Sequence, residues 1–473
     1  MKKTFLIILL FTNSFAFFAQ EIYEKPVVDE RVELMSTVFR LVGTPEYVSV
    51  WLPMYTYEVD KYFEKYKDHP LIEYSTKLLK EYGVWYNAVA QFSIFLEIQN
   101  GKIDFRKDIK IESLDERWHR DSIPKYLDLL NDFYTTTKFN DFFVQNEHIR
   151  KVAEENYAKD VTDKVDFDWF KRFFGILPEK KLQIIISLLN GGSNYGTKLI
   201  YNDDTEEYYV IMGSWMSDKD GFPIYEDRSG DFINMLIHEI SHPFSNPFLN
   251  KYKEEMMKNS NIYYGWFEEK VRSMGYGNPD VFIYEAFVRA CAIHYGIATN
   301  VPKHRTNLSI AQEIDNGFLW LPQLLEAFKK YEGDTIYKTF YDFMPEIIKF
   351  YNSIDPQKLY DEIENNKPTI TGISIENGSD SIDYNLDRIT VYFDKPMSTA
   401  NFAYNCCDEG YAELDWASMN NKWNAEGTEW TLYFKLEPDE KYYIGVLKSG
   451  FVGLNNLFPR DSYIITFKTR KNQ

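Results

Sequence analysis

The sequence predicts a multi-domain α+β protein: a helix-rich region that contains a small antiparallel sheet, followed by an all-β sandwich. Three observations predict it. Apolar residues recur at helical spacing up to about residue 178, short β-branched runs then precede one apolar helical run at Asp231–His242, and beyond Asn365-Asn366-Lys367-Pro368 the apolar residues alternate. The expected divisions are a leader at 1–19, a mainly helical part at 20–178, a part at 179–364 built around the apolar helical run, and the sandwich at 368–473.

At 473 residues, with 44% hydrophobic and 17% aromatic composition, the chain is long enough for two or three domains and a sizeable core. A formal charge of −19 argues against nucleic acid and anionic membrane as partners, because both reward a basic surface. Lys2 and Lys3, an apolar run from Phe5 to Phe11 and the small residues Ser14, Ala16 and Ala19 read as a secretory signal peptide, with cleavage after Ala16 and after Ala19 both open. The run is too short for a transmembrane anchor, no Cys follows it, and no second apolar stretch reads as a span. The expected location is therefore secreted, periplasmic or at the cell surface. Cys291 and the adjacent Cys406 and Cys407 are too few for a disulfide framework, so stability must come from the core.

In chain order, Asp29 caps a helix whose apolar Val32, Met35, Phe39 and Val42 share a face, and Gly43 stops it. Further helical patterns cover Tyr57–Tyr66, Leu71–Tyr82, Trp85–Leu96, Ile123–Tyr134, Asn140–Tyr157 and Phe167–Phe174. Leu182–Leu189 and Glu207–Gly213 are rich in β-branched and aromatic residues and bounded by turn residues, so they read as two strands of a small antiparallel sheet.

The segment Asp231-Phe-Ile-Asn-Met-Leu-Ile-His238-Glu239-Ile-Ser-His242 carries H-E-x-x-H in an apolar helix capped by Ser229 or Asp231. Residues four apart share a helix face, so His238 and His242 offer two imidazole nitrogens to one metal ion while Glu239 projects beside them as a general base. The plainer alternative is a histidine pair satisfied by a carboxylate. Pro243 follows at once, and the helix is expected to end or kink there.

Zinc needs a third protein ligand and an open position for water. Glu285, on a helix opened by Asn278 and Pro279, is a carboxylate among Phe282, Ile283, Ala286, Phe287 and Ala290, and such a group needs a metal or a cation. The cation available nearby is Arg289, four residues on. Glu268, Glu269 and His294 are competing ligands. Tyr284, Tyr295, Tyr264 and His294 are all available to stabilise an oxyanion, with nothing to choose among them.

Asp29-Glu-Arg31-Val-Glu33-Leu, His238-Glu239-Ile-Ser-His242-Pro-Phe-Ser-Asn246-Pro and Glu285-Ala-Phe-Val-Arg289-Ala resemble a family of secreted bacterial proteins of unknown function treated as zincin metallopeptidases, over roughly residues 25 to 350. The wider resemblance is to the gluzincin arrangement, which implies Zn2+ on His238, His242 and Glu285 with Glu239 as base. The separation of His242 from Glu285 is longer here than in better-known gluzincins, and Arg289 stands where an acidic residue is common. The fold so implied is a zincin-like catalytic region.

In the C-terminal part, Ile370–Ile375, Arg388–Phe393, Trp430–Phe434, Tyr442–Leu447 and Tyr463–Phe467 read as short strands. Val391–Ser398 and Gly450–Asn456 resemble bacterial immunoglobulin-like domains, which implies surface contacts; Trp416, Trp423 and Trp430 are either core residues or a glycan-binding face. The function expected is a secreted zinc-dependent metallopeptidase acting on a peptide or protein substrate. The alternatives are a secreted or cell-surface interaction protein with a structural or vestigial zinc site, and hydrolysis of an amide or ester outside proteins.

Overall fold

The computed structural model describes residues 22–176, 180–226, 230–415 and 419–471. The expected leader at 1–19, the boundary near Pro178, the alternative cap Ser229 and Trp416 lie outside the described residues.

After a short strand β1 (Val27–Val28) come α1 (Glu30–Val42), α2 (Pro53–Phe63), α3 (Pro70–Tyr82) and α4 (Asn87–Phe95). A hairpin of β2 (Leu96–Gln99) and β3 (Lys102–Phe105) precedes α5 (Ile123–Thr137), α6 (Phe139–Gln145), α7 (Glu147–Asp160) and α8 (Asp168–Phe174). The signals that start and stop α1 are those read from the sequence. The Asp29 carboxylate accepts from the Arg31 amide, and Gly43 takes φ +89°, a left-handed conformation that favours glycine. The single helix expected over Asn140–Tyr157 is two, because Asn146 leaves helical geometry and returns its amide to the Phe142 carbonyl at 3.0 Å.

Strands β4 (Gln183–Ile186), β5 (Tyr195–Ile200) and β6 (Glu206–Met212) join β1 in a sheet of order β1-β4-β6-β5. This sheet is mixed, which corrects the antiparallel expectation. The two strands read from the sequence, β4 and β6, run parallel, with Ile184 opposite Val210, while β6 takes β5 as its antiparallel hairpin partner, with Tyr195 opposite Ile211. Strand β5 escaped the pattern because only Tyr195, Leu199 and Ile200 of its six residues are apolar, with Gly196, Thr197 and Lys198 between them.

Helix α9 (Asp231–Ser273) lies against β5 and β6 and packs along α10 (Val281–Ala298). Helix α9 does not end at Pro243. Its backbone stays helical through Pro243 and Pro247 and departs only at Phe267 (φ −120°, ψ 15°). A proline inside a helix costs about 3 kcal/mol, yet Ile240, Phe244 and Leu249 are buried around these two and hold the segment in place. The Tyr341 hydroxyl also donates to the Phe244 carbonyl at 2.9 Å. The N-cap position of α10 is Asp280 and not Asn278, and Asp280 makes no side-chain cap hydrogen bond. By length and composition the helix is apolar enough to cross a membrane, contrary to the expectation that no second stretch is, and most of it is buried inside the protein.

Helices α11 (Lys303–Asp315), α12 (Leu321–Gly333), α13 (Phe340–Ser353) and α14 (Pro356–Asn366) complete this part. One hydrophobic cluster runs through it from Val28 and Phe39 through Phe92, Ile185 and Leu236 to Phe287, Phe328 and Tyr351. Each fully buried Phe or Leu in it contributes about 1.5–3 kcal/mol.

The C-terminal module has two sheets. One has the order β10-β11-β8-β7 and the other β13-β12-β9, with β7 (Ile370–Ile373), β8 (Arg388–Phe393), β9 (Tyr404–Asn405), β10 (Asn420–Trp423), β11 (Glu429–Tyr433), β12 (Lys441–Val446) and β13 (Tyr463–Lys468). Alternate residues such as Ile389, Val391 and Phe393 of β8 and Tyr442, Ile444 and Val446 of β12 point into one shared core. Trp430 is buried in that core, and Trp423 is half-buried against Phe393.

Candidate metal centre

His238 and His242 sit one turn apart on α9, and Glu285 faces them from α10. Their ligand atoms lie within 4.8 Å of one another. His238 Nε2 is 3.5 Å from Glu285 Oε2, and His242 Nε2 is 3.5 Å from Glu285 Oε1. Both separations are too long for a hydrogen bond. They match the spacing of two atoms held on one tetrahedral ion, since ligands at about 2.0–2.1 Å from zinc stand about 3.3 Å apart. The donor set therefore fits a divalent metal with imidazole and carboxylate ligands.

The electrostatics agree with that set. Burial pushes His238 down to about 3, so its imidazole is neutral at physiological pH, as a ligand must be. Burial opposes ionisation of Glu285, but His238, His242, the Arg289 guanidinium and the Tyr276 hydroxyl outweigh it and hold the carboxyl at about 2. Burial raises Glu239 to about 7 against the lowering effects of His242 and the Gly196 amide. His242 Nδ1 lies 3.4 Å from Asn246 Oδ1, one turn further along α9.

Glu285 has a second set of partners behind it. The Tyr276 hydroxyl donates to Glu285 Oε2 at 2.8 Å and accepts from Arg289 at 3.0 Å. Arg289 lies 3.3 Å from Glu285 and forms two bonds of 2.9 and 2.8 Å to the Glu313 carboxylate of α11. The two readings of Glu285 are thus not exclusive: one side of the carboxylate faces the histidines, and Oε2 also meets the arginine. Such outer partners orient a ligand and tune its charge.

The β5 strand approaches Glu239 closely. Pro243 has no N–H for the Glu239 carbonyl four residues back, and Gly196 lies against that carbonyl so tightly that a Cβ there would be 2.4 Å from the oxygen. A glycine is required at this point for steric reasons alone.

All four residues open on one cavity of about 1100 Å³, lined also by Trp85, Tyr86, Arg117, Gly192–Tyr195, Tyr276 and Gln312. Of the competing residues, Glu268 pairs with Arg272 at 2.8 Å on the surface, and His294 contacts Glu332 at 2.9 Å away from the triad. The Tyr284 hydroxyl donates to Asn250, that of Tyr264 donates to the Gly277 carbonyl, and that of Tyr295 accepts from the Asp166 amide. The tyrosine that reaches the triad is Tyr276. Its only sequence signal was its place in Gly275-Tyr276-Gly277, between the two ligand-bearing helices.

The profile of a domain of unknown function, DUF4932, matches residues 27–350. The chain belongs to this family. The DUF4932 region takes in α1, the mixed sheet, both ligand helices and most of α13, and it stops before the two-sheet module. No curated protein matches the chain. Among solved structures, a fragment of Escherichia coli α2-macroglobulin spanning domains MG0-NIE-MG1 is 18% identical with a TM-score of 0.17, covering 24% of this chain and 35% of that one. The S-layer protein SbsC is 15% identical with a TM-score of 0.18, covering 50% of this chain and 34% of that one. The chain thus aligns with only about a third of each of those solved chains.

Proposed function

We propose that this DUF4932 protein is a secreted zinc-dependent metallopeptidase, with a zincin-like catalytic region and an immunoglobulin-like accessory module. The observation that carries the reading is the convergence of His238, His242 and Glu285 on one point beside Glu239, at the wall of a cavity far larger than a metal ion needs.

His238, His242 and Glu285 would hold the ion. Zinc supplies Lewis acidity there, polarising a carbonyl and making a water acidic near neutral pH. Glu239 accepts the proton from the attacking water at its carboxylate and passes it to the leaving amine. Tyr276 and Arg289 keep the Glu285 carboxylate ionised and aimed at the histidines. Gly196 of β5 packs against Glu239 at the strand edge. The N-terminal leader pattern supports export, and the large cavity favours hydrolysis over a purely structural metal.

Two measurements test the reading together: metal content of the purified mature chain, and cleavage of a broad peptide library by the wild type and by Glu239→Gln. The expected result is one zinc per chain, retained in the variant, with cleavage reduced by about 10²–10⁴-fold. A chain without stoichiometric zinc, or a variant that cleaves as the wild type does, overturns it.

A further inference from the structure

The cavity that holds the triad is not walled by the DUF4932 region alone. Ser449, in the turn Lys448–Gly450 of the C-terminal module, lines it together with Leu308, Ser309, Gln312 and Glu313 of α11. We infer that the C-terminal module is a working part of the cleft, with Ser449 a specificity-determining residue that contacts the extended part of a peptide ligand. This rests on the metallopeptidase reading and adds to it a substrate class: extended peptides that reach beyond the metal and meet the polar surface of Ser309, Gln312 and Ser449.

The turn is held firmly against α11. Lys448 Nζ lies 2.9 Å from Asp315 Oδ1, at the end of that helix, while Lys270 of α9 lies 2.6 Å from Asp315 Oδ2. Burial opposes ionisation of Asp315, but the two lysines hold its carboxyl below the usual range. Val452 and Phe458 of the module form a buried cluster with Ala311, against which Leu308 packs. At the other side of the seat, Arg460 donates to the Glu364 carbonyl at 2.7 Å and Asn455 to the Asn366 carbonyl at 2.8 Å, so the expected linker is itself pinned. Within the module, Gly450 lies so close to Ala403 that a Cβ would be 2.1 Å away, which fixes the turn from behind. Ser449 is exposed on this rigid support and meets the cavity.

The test uses the full chain loaded with zinc, with Ser449→Trp as the blocking variant. Ser449→Lys is the second, since the position is exposed and neither side chain has to enter the core. Binding of acetohydroxamate, which reaches only the metal, is compared with that of peptide hydroxamates of increasing length. Either variant is expected to weaken the longer peptide hydroxamates by about tenfold or more while leaving acetohydroxamate within about twofold. Equal weakening of all probes, or of none, overturns the inference and leaves the metal reading standing. A wild-type chain that binds no acetohydroxamate overturns the metal reading and the wall with it.

Discussion

Two buried glutamates in different regions carry the same electrostatic signature and do different things. Glu33 on α1 and Glu239 on α9 are both raised by burial to about 7. Glu33 is enclosed by donors: the Leu188 amide at 2.8 Å, the Ser187 hydroxyl at 3.3 Å and the Tyr55 hydroxyl at 2.8 Å. It ties α1 to the segment after β4 that leads into the cavity-lining Gly192–Tyr195. Glu239 lies against Gly196 of β5 on one side and lines the cavity with the triad. A perturbed carboxyl is thus a site candidate only where part of it is left for a ligand; where donors surround it, it is a clamp.

Neutralising each in turn is the sharpest way to break that comparison. Glu239→Gln is expected to remove hydrolysis and keep the fold, whereas Glu33→Gln is expected to keep zinc and hydrolysis and change stability with pH. The sign follows from proton uptake. Between the ordinary carboxyl value of 4.5 and about 7 the folded chain holds a proton at Glu33 that the unfolded chain has released, so wild-type stability falls as pH rises through that window. At about 1.4 kcal/mol per pH unit, Glu33→Gln should match the wild type near pH 4.5 and exceed it by up to about 3 kcal/mol at pH 8. Urea denaturation at several pH values checks this; parallel pH profiles for the two proteins would remove the distinction.

A smaller effect is expected at the strand edge. Gly196→Ala drives a methyl into the Glu239 carbonyl and should cost about 1–3 kcal/mol and reduce hydrolysis. Gly372→Ala, outside the cavity and with nothing within 4 Å of the added carbon, should do neither, and thermal melts of the pair read the difference. The smallest change is at Tyr276. Removing the hydroxyl in Tyr276→Phe leaves Arg289 on Glu285, and zinc affinity should fall by about 10–100-fold, as measured by chelator competition. An unchanged affinity would make Tyr276 a packing residue.

What the sequence disclosed, and what it withheld, divides by range. His238, Glu239 and His242 are legible because four-residue spacing fixes their shared face, and Glu285 because a charge in an apolar helix demands a partner. The start and stop of α1 and the alternation of β8 and β12 are likewise local. Tyr276, the Arg289–Glu313 pair and the approach of Gly196 to Glu239 depend on contacts between separate elements, which no spacing reveals. The continuity of α9 through Pro243 is the same lesson in reverse: a strong local signal for a break yields to the burial of Ile240, Phe244 and Leu249 around it.

The placement of Ser449 also has a consequence in time. Ser449 follows the end of α10 at Ala298 by well over a hundred residues. At about 5–20 residues per second, translation separates the two by roughly ten to thirty seconds. During that interval the nascent chain holds both ligand helices while the groove is still open on the α11 side, so any product cut short before the turn at Lys448–Gly450 would present the triad without its wall.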